Sequence, residues 1–126
     1  MDDFQRALTI TIINASGTDL LVNYGVLTGG NWSTAPAPGS EITPAGQQSY
    51  VNGTSNTFSA LGGQILLTPA SGGTINPTWS LPVGGPVSSS VNATSLTGLA
   101  VTSQLINTQT NFPTLQVMIT NASTFG

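Results

Sequence analysis

The chain has 126 residues, no Cys and no His, and one basic residue against four acidic ones, for a net charge of −3. This excludes a disulfide framework, a thiolate or imidazole metal site, a basic footprint for nucleic acid and a polybasic membrane anchor. The length suits one domain, residues 1–126, that buries its core without staples.

The opening, "MDDFQRALTI", lacks the cationic stretch and apolar block of a signal peptide, and no apolar run approaches the ~18 residues that span a bilayer. The expectation is a chain that is cytoplasmic at synthesis, or exported without a cleaved signal, and not transmembrane. Period-2 alternation then dominates. Leu8, Ile10 and Ile12 share one face of a first strand, and Ala7, Thr9, Thr11 and Ile13 the other. "NASGTD" is turn chemistry. In the second strand Leu20, Val22, Tyr24 and Val26 alternate with Leu21, Asn23, Gly25 and Leu27. "TGGNWSTAPAPGS" reads as a loop, because Pro36 and Pro38 forbid a central strand there. Further strands are expected in "QQSYVNG", "TFSA", "GQILLTP", "TINPTWSLP", "PVSSSVNAT", "GLAVTSQLIN" and "PTLQVMIT". The prolines around Trp79 point to an edge strand or a strand end. No segment carries a 3.6-residue stripe. Many short antiparallel strands between Gly and Pro turns predict an all-β, single-domain antiparallel β-sandwich with no substantial helix.

The side chains able to titrate or ligate are Asp2, Asp3, Asp19, Glu41, Arg6, Tyr24 and Tyr50. A Ser or Thr nucleophile has no His or Lys as its base, and the carboxylates are too few for a calcium cage. Asp19 and Glu41, the only internal acidic pair, each sit beside a turn and read as a turn cap and a solvated side chain. The expectation is a protein that is not an enzyme and needs no cofactor. Five Asn-X-Ser/Thr triplets, at Asn14, Asn31, Asn52, Asn92 and Asn121, follow from a composition rich in these residues.

Binding or assembly remains. Trp32 lies in a polar, Pro-rich loop, where an aromatic side chain serves to grip a lipid headgroup or sugar ring, or else folds back on the core. Trp79, in "NPTWSLPVGGP", has the same two readings, with the core the commoner one.

With these loci in view, the chain resembles the aegerolysins, small acidic cysteine-poor β-sandwich proteins that recognise membrane lipids. The resemblance rests on "ALTITIINASGTDL", on "LTGGNW" before Trp32, on "EITPAGQQSYVNGTSNTF", and on "TWSLPVGGPVSSSVNAT", which places Trp79, Pro82 and Gly84 on a Trp-X-X-Pro-X-Gly pattern. The chain departs from the family pattern at Ser80 and Val83 and lacks a Trp near its first strand. The resemblance implies a lipid binder for sphingolipid and sterol membranes, with Trp32, Trp79 and Tyr50 at the headgroup, acting beside a larger perforin-like partner.

Two other readings stay open. With no Lys to guard a sheet edge and little Coulombic repulsion, the protein is suited to self-association into a filament, sheath or crystal, with "MDDFQRALTITII" or "LQVMITNASTFG" donated to a neighbour. A lectin would use Trp32 or Trp79 as a stacking platform.

Overall fold

The computed structural model describes residues 5–56 and 58–122. Leu8, Ile10 and Ile12 all lie at zero exposure on the inner face of β1 (Arg6–Ala15), as the alternation demands. The other strands are β2 (Leu20–Gly29), β3 (Asn31–Thr34), β4 (Glu41–Ile42), β5 (Gln47–Thr54), β6 (Leu61–Pro69), β7 (Thr74–Leu81), β8 (Ser88–Thr94), β9 (Leu99–Ile106) and β10 (Thr114–Asn121). They form two five-stranded sheets, ordered β3-β5-β1-β10-β9 and β4-β2-β6-β7-β8. The core lies between them: Leu8, Ile10, Ile12, Leu115, Val117 and Ile119 of the first sheet meet Leu20, Val22, Ile65, Leu67, Ile75 and Trp79 of the second. This is the expected β-sandwich. Among the described residues there is no helix, so none long and apolar enough to cross a membrane.

Several expectations are corrected. All strand pairs are antiparallel except one: β1 and β10 run parallel, from Thr9 opposite Thr114 to Ala15 opposite Thr120. Because β1 also pairs with β5 and β10 with β9, the described parts of the two stretches expected to be donated are interior strands of this sheet; their residues 1–4 and 123–126 lie outside the described residues. The expected loop after β2 contains β3, which pairs with β5 and carries Trp32. "TFSA" is not a strand; its described residues lie in the turn between β5 and β6, closed by the Ser59 N–H donating to the Asn56 carbonyl at 3.1 Å. In β2, a register shift between Val22 and Tyr24 inserts Asn23, so Tyr24 and Val26 point outward while Gly25 and Leu27 pair toward the core.

β7 is not an edge strand despite Pro77, because β6 and β8 flank it. The β6–β7 ladder is interrupted between its Gln64–Thr78 and Leu67–Ile75 pairs, where proline has no N–H to offer. Beside the gap, Asn76 Nδ2 donates to the Ile65 carbonyl at 2.7 Å, so a side chain replaces the missing ladder bond.

The sheet edges are β3 and β9 in one sheet and β4 and β8 in the other. Two of these, β3 and β4, are four and two residues long, which limits strand addition without any Lys.

Candidate functional site

One end of the sandwich collects the start of β1, the end of β5, the β2–β3 corner and the loops β5–β6, β7–β8 and β9–β10. Just inside it, Trp32 and Trp79 meet edge to face, with ring centroids 6.0 Å apart and planes at 66°. Trp79 is 4% exposed, and Trp32 is half-buried against the core. Asn52, fully buried, lies on β5 opposite Trp32. Its Oδ1 accepts the Trp79 Nε1–H at 3.0 Å, and its Nδ2 donates to the Gly29 carbonyl at 3.0 Å and more weakly to Asn31 at 3.5 Å. One amide thus satisfies an indole and the corner between β2 and β3. Asn14 is equally buried, donating to the Thr18 and Ile42 carbonyls at 2.8 Å, so two of the five Asn-X-Ser/Thr triplets are structural.

Glycines make room for both indoles. Gly63 pairs with Trp79, and a Cβ there would lie 2.8 Å from the Trp79 ring and 2.6 Å from the Val26 carbonyl oxygen. Gly25 lies under Trp32 in the same way, a Cβ falling 3.0 Å from its ring and 2.5 Å from Pro36. Gly63→Ala is expected to destabilise the fold by about 1–3 kcal/mol in urea unfolding, because a backbone carbonyl cannot step aside as a side chain can. An unchanged midpoint would show that the neighbouring strands shift there without strain.

Tyr50 is buried on β5, two residues before Asn52 on the same face. Burial raises its pKa above the ordinary value of about 10. The folded state therefore holds this proton more tightly than the unfolded chain does. Its contribution is complete below about pH 10 and is lost as pH rises through the raised value. Melting temperature should fall above about pH 10, and Tyr50→Phe should flatten that part of the decline; an identical alkaline profile in the variant would remove Tyr50 as its source.

The outer part of this end is built from turns. In the β5–β6 turn the Phe58 N–H donates to Asn56 Oδ1 at 2.8 Å. In the β9–β10 loop the Phe112 N–H donates to Thr110 Oγ1 at 3.1 Å, and Thr110 Oγ1 donates to the Asn107 carbonyl at 2.9 Å. Residues 82–85 close another turn, with Gly84 at φ +74° and the Gly85 N–H donating to the Pro82 carbonyl at 3.5 Å. Each turn holds an apolar side chain in solvent: Phe58 is 82%, Phe112 53% and Val83 48% exposed.

Arg6 ties the turns together. It is 6% exposed; Nη1 donates to the Ser59 carbonyl at 2.6 Å and Nη2 to those of Pro82 at 3.0 Å and Leu81 at 3.4 Å. The next residue, Ala7, donates its N–H to the Asn111 carbonyl at 3.0 Å. Ser59, Pro82 and Asn111 each neighbour one of the three exposed apolar residues in sequence. Beside Arg6 opens a cleft of about 630 Å³, walled by residues 84–87 and 108–111. Among the described residues no acidic cluster could hold a metal ion.

No protein-family model matches the sequence, and neither does any curated protein. Solved structures do. IP-1A from Alcaligenes faecalis superposes with a TM-score of 0.74 at 13% identity, covering 95% of this chain and 94% of that one. The lipid-binding protein Nakanori gives 0.76 at 9% identity over 90% of this chain and 70% of its own. The Xerocomus chrysenteron lectin XCL gives 0.55 at 11% identity, over 90% and 99%. The fold is an aegerolysin-like β-sandwich.

In this aegerolysin-like sandwich, the three aromatic residues singled out from the sequence lie on two facing layers: Tyr50 and Trp32 on the first sheet, Trp79 on the second. Trp32 and Trp79 are brought into contact. Trp79 and Tyr50 are in the core, and only Trp32 keeps accessible surface. Sequence reasoning missed Phe58, Val83, Phe112 and Asn52. The two phenylalanines carry the signal that selects Trp32, an aromatic in a Ser/Thr/Asn segment, but Phe58 also fits the strand expected in "TFSA".

Proposed function

We propose that the protein is a non-enzymatic membrane-lipid-binding module that docks by its loop end. The observation that carries this is the set of three apolar tips, Phe58, Val83 and Phe112, on hydrogen-bonded turns that contain no charged residue. Isolated exposed apolar residues are ordinary, but three on turns tied through Arg6 and Ala7 to the start of β1 form an end that loses little by leaving water. The fold shared with a lipid-binding protein supports the reading. Trp32, with its free surface, is the aromatic residue proposed to meet a headgroup, while Trp79 and Tyr50 shape the site from beneath. The resemblance noted in the sequence extends the proposal to sphingolipid and sterol membranes and to a larger perforin-like partner, which would supply the pore.

Density-gradient flotation with and without sphingolipid–sterol liposomes tests this. The protein should rise only with liposomes and otherwise remain a slow monomer or dimer. Large particles in both tubes would instead favour self-association.

A further inference from the structure

We infer that the cleft beside Arg6 is a binding site for a phosphoryl oxyanion. The inference deepens the lipid-docking reading and rests on it for the source of the ligand, which is the phosphodiester of a zwitterionic lipid headgroup.

Arg6 is the only cation of the chain, and it is buried. Buried charges are ordinarily paired. The two carboxylates among the described residues, Asp19 and Glu41, lie at the opposite end of the sandwich, where β2 begins and pairs with β4; Asp2 and Asp3 lie outside the described residues. A guanidinium has five N–H donors, and three of the Arg6 donors go to carbonyls, which fixes its plane. The other two have no partner among the described residues. The cleft it lines is of ligand size, at about 630 Å³. The facing wall offers neutral hydrogen-bond donors: the hydroxyl of Thr108 and the amides of Gln109 and Asn111, while the Thr110 hydroxyl is already committed to the Asn107 carbonyl. Opposite them, Gly84 and Gly85 leave the backbone uncovered by side chains.

Such a set, one fixed guanidinium among neutral donors, matches a single tetrahedral oxyanion. The cleft opens between the turns that carry the exposed Val83 and Phe112. The net charge of −3 disfavours an anionic surface, whereas a zwitterionic headgroup brings one phosphate to one arginine without a net charge to repel.

Because the chain has a single Arg, its Nε–H is a single resonance in a spectrum of the 15N-labelled protein. Two ligands are titrated at constant ionic strength, inorganic phosphate and dihexanoyl phosphatidylcholine below its micelle concentration, and flotation on phosphatidylcholine vesicles is measured in parallel. The expected result is a saturable shift of the Arg6 Nε–H and of the Gly84 and Gly85 amides, with the midpoint raised at least tenfold in Arg6→Gln. Since Arg6 also ties turns together, Thr108→Ala/Gln109→Ala serves as a second variant on exposed residues and should weaken binding severalfold with folding intact. A shift with inorganic phosphate alone keeps the oxyanion site and moves its source to free phosphate, overturning the headgroup assignment. Saturable shifts without flotation leave the site standing and sink the docking reading. Flotation with no saturable shift from either ligand overturns the site and leaves docking by the apolar tips.

Discussion

A chain carrying Phe58→Ser and Phe112→Ser should lose on the order of 100-fold in vesicle partitioning while its melting temperature stays where it was. Burying one Phe side chain is worth about 1.5–3 kcal/mol, and each 1.4 kcal/mol is tenfold in a partition constant. Two tips removed from the contact therefore outweigh any loss from a single polar contact. Stability should hold within about 0.5 kcal/mol, because both rings stand in solvent and the hydrogen bonds of their turns come from Asn56, Thr110 and backbone atoms that the substitutions leave in place. Vesicle co-sedimentation of the double variant beside the parent measures this. Equal partitioning would show that these turns do not face the membrane, and Val83→Ser would not rescue the reading.

The second large effect is one of stability. Trp79→Ala should cost about 3–5 kcal/mol in denaturant unfolding, a large share of the 5–15 kcal/mol that holds a typical domain. The indole fills the space above Gly63, and its loss also leaves the buried Asn52 Oδ1 without its donor. Trp79→Phe separates the two contributions: it keeps most of the volume but not the N–H, and about 1–3 kcal/mol should still be lost. If Trp79→Ala were nearly neutral for stability yet reduced vesicle binding, the residue would be a ligand contact rather than a core member.

How much could be read in advance follows from range. The alternation of Leu8, Ile10 and Ile12, or of Leu115, Val117 and Ile119, is a local property, and local pattern located most of the strands and the two-layer class. Where one inserted residue changed the phase, as at Asn23, the pattern misassigned Tyr24 and Val26, since a bulge depends on the partner strand. The placement of Pro77 inside a sheet was illegible for a similar reason: its remedy, Asn76 reaching Ile65, comes from the neighbouring strand. At the site, Trp32 and Trp79 stood out as rare residues, but their contact joins positions 47 apart in the chain, across two sheets. Arg6 stood out as the lone cation. That it would knit turns carrying Phe58, Val83 and Phe112 depends on the topology, which brings those turns to the start of β1.

The parallel pairing of β1 with β10 has a consequence for synthesis. The ribosome delivers β1 first and β10 last of the ten strands, yet they are neighbours at the middle of their sheet. Until β10 emerges, β9 has no partner in that sheet and β1 shows an unpaired, apolar edge, a state that invites pairing between nascent chains. Contacts of such long sequence separation also slow folding, because the loop entropy is lost before the contact forms. Early termination before Thr114 would not trim this protein at a margin. It would take out the strand that joins β9 to the rest of the sheet.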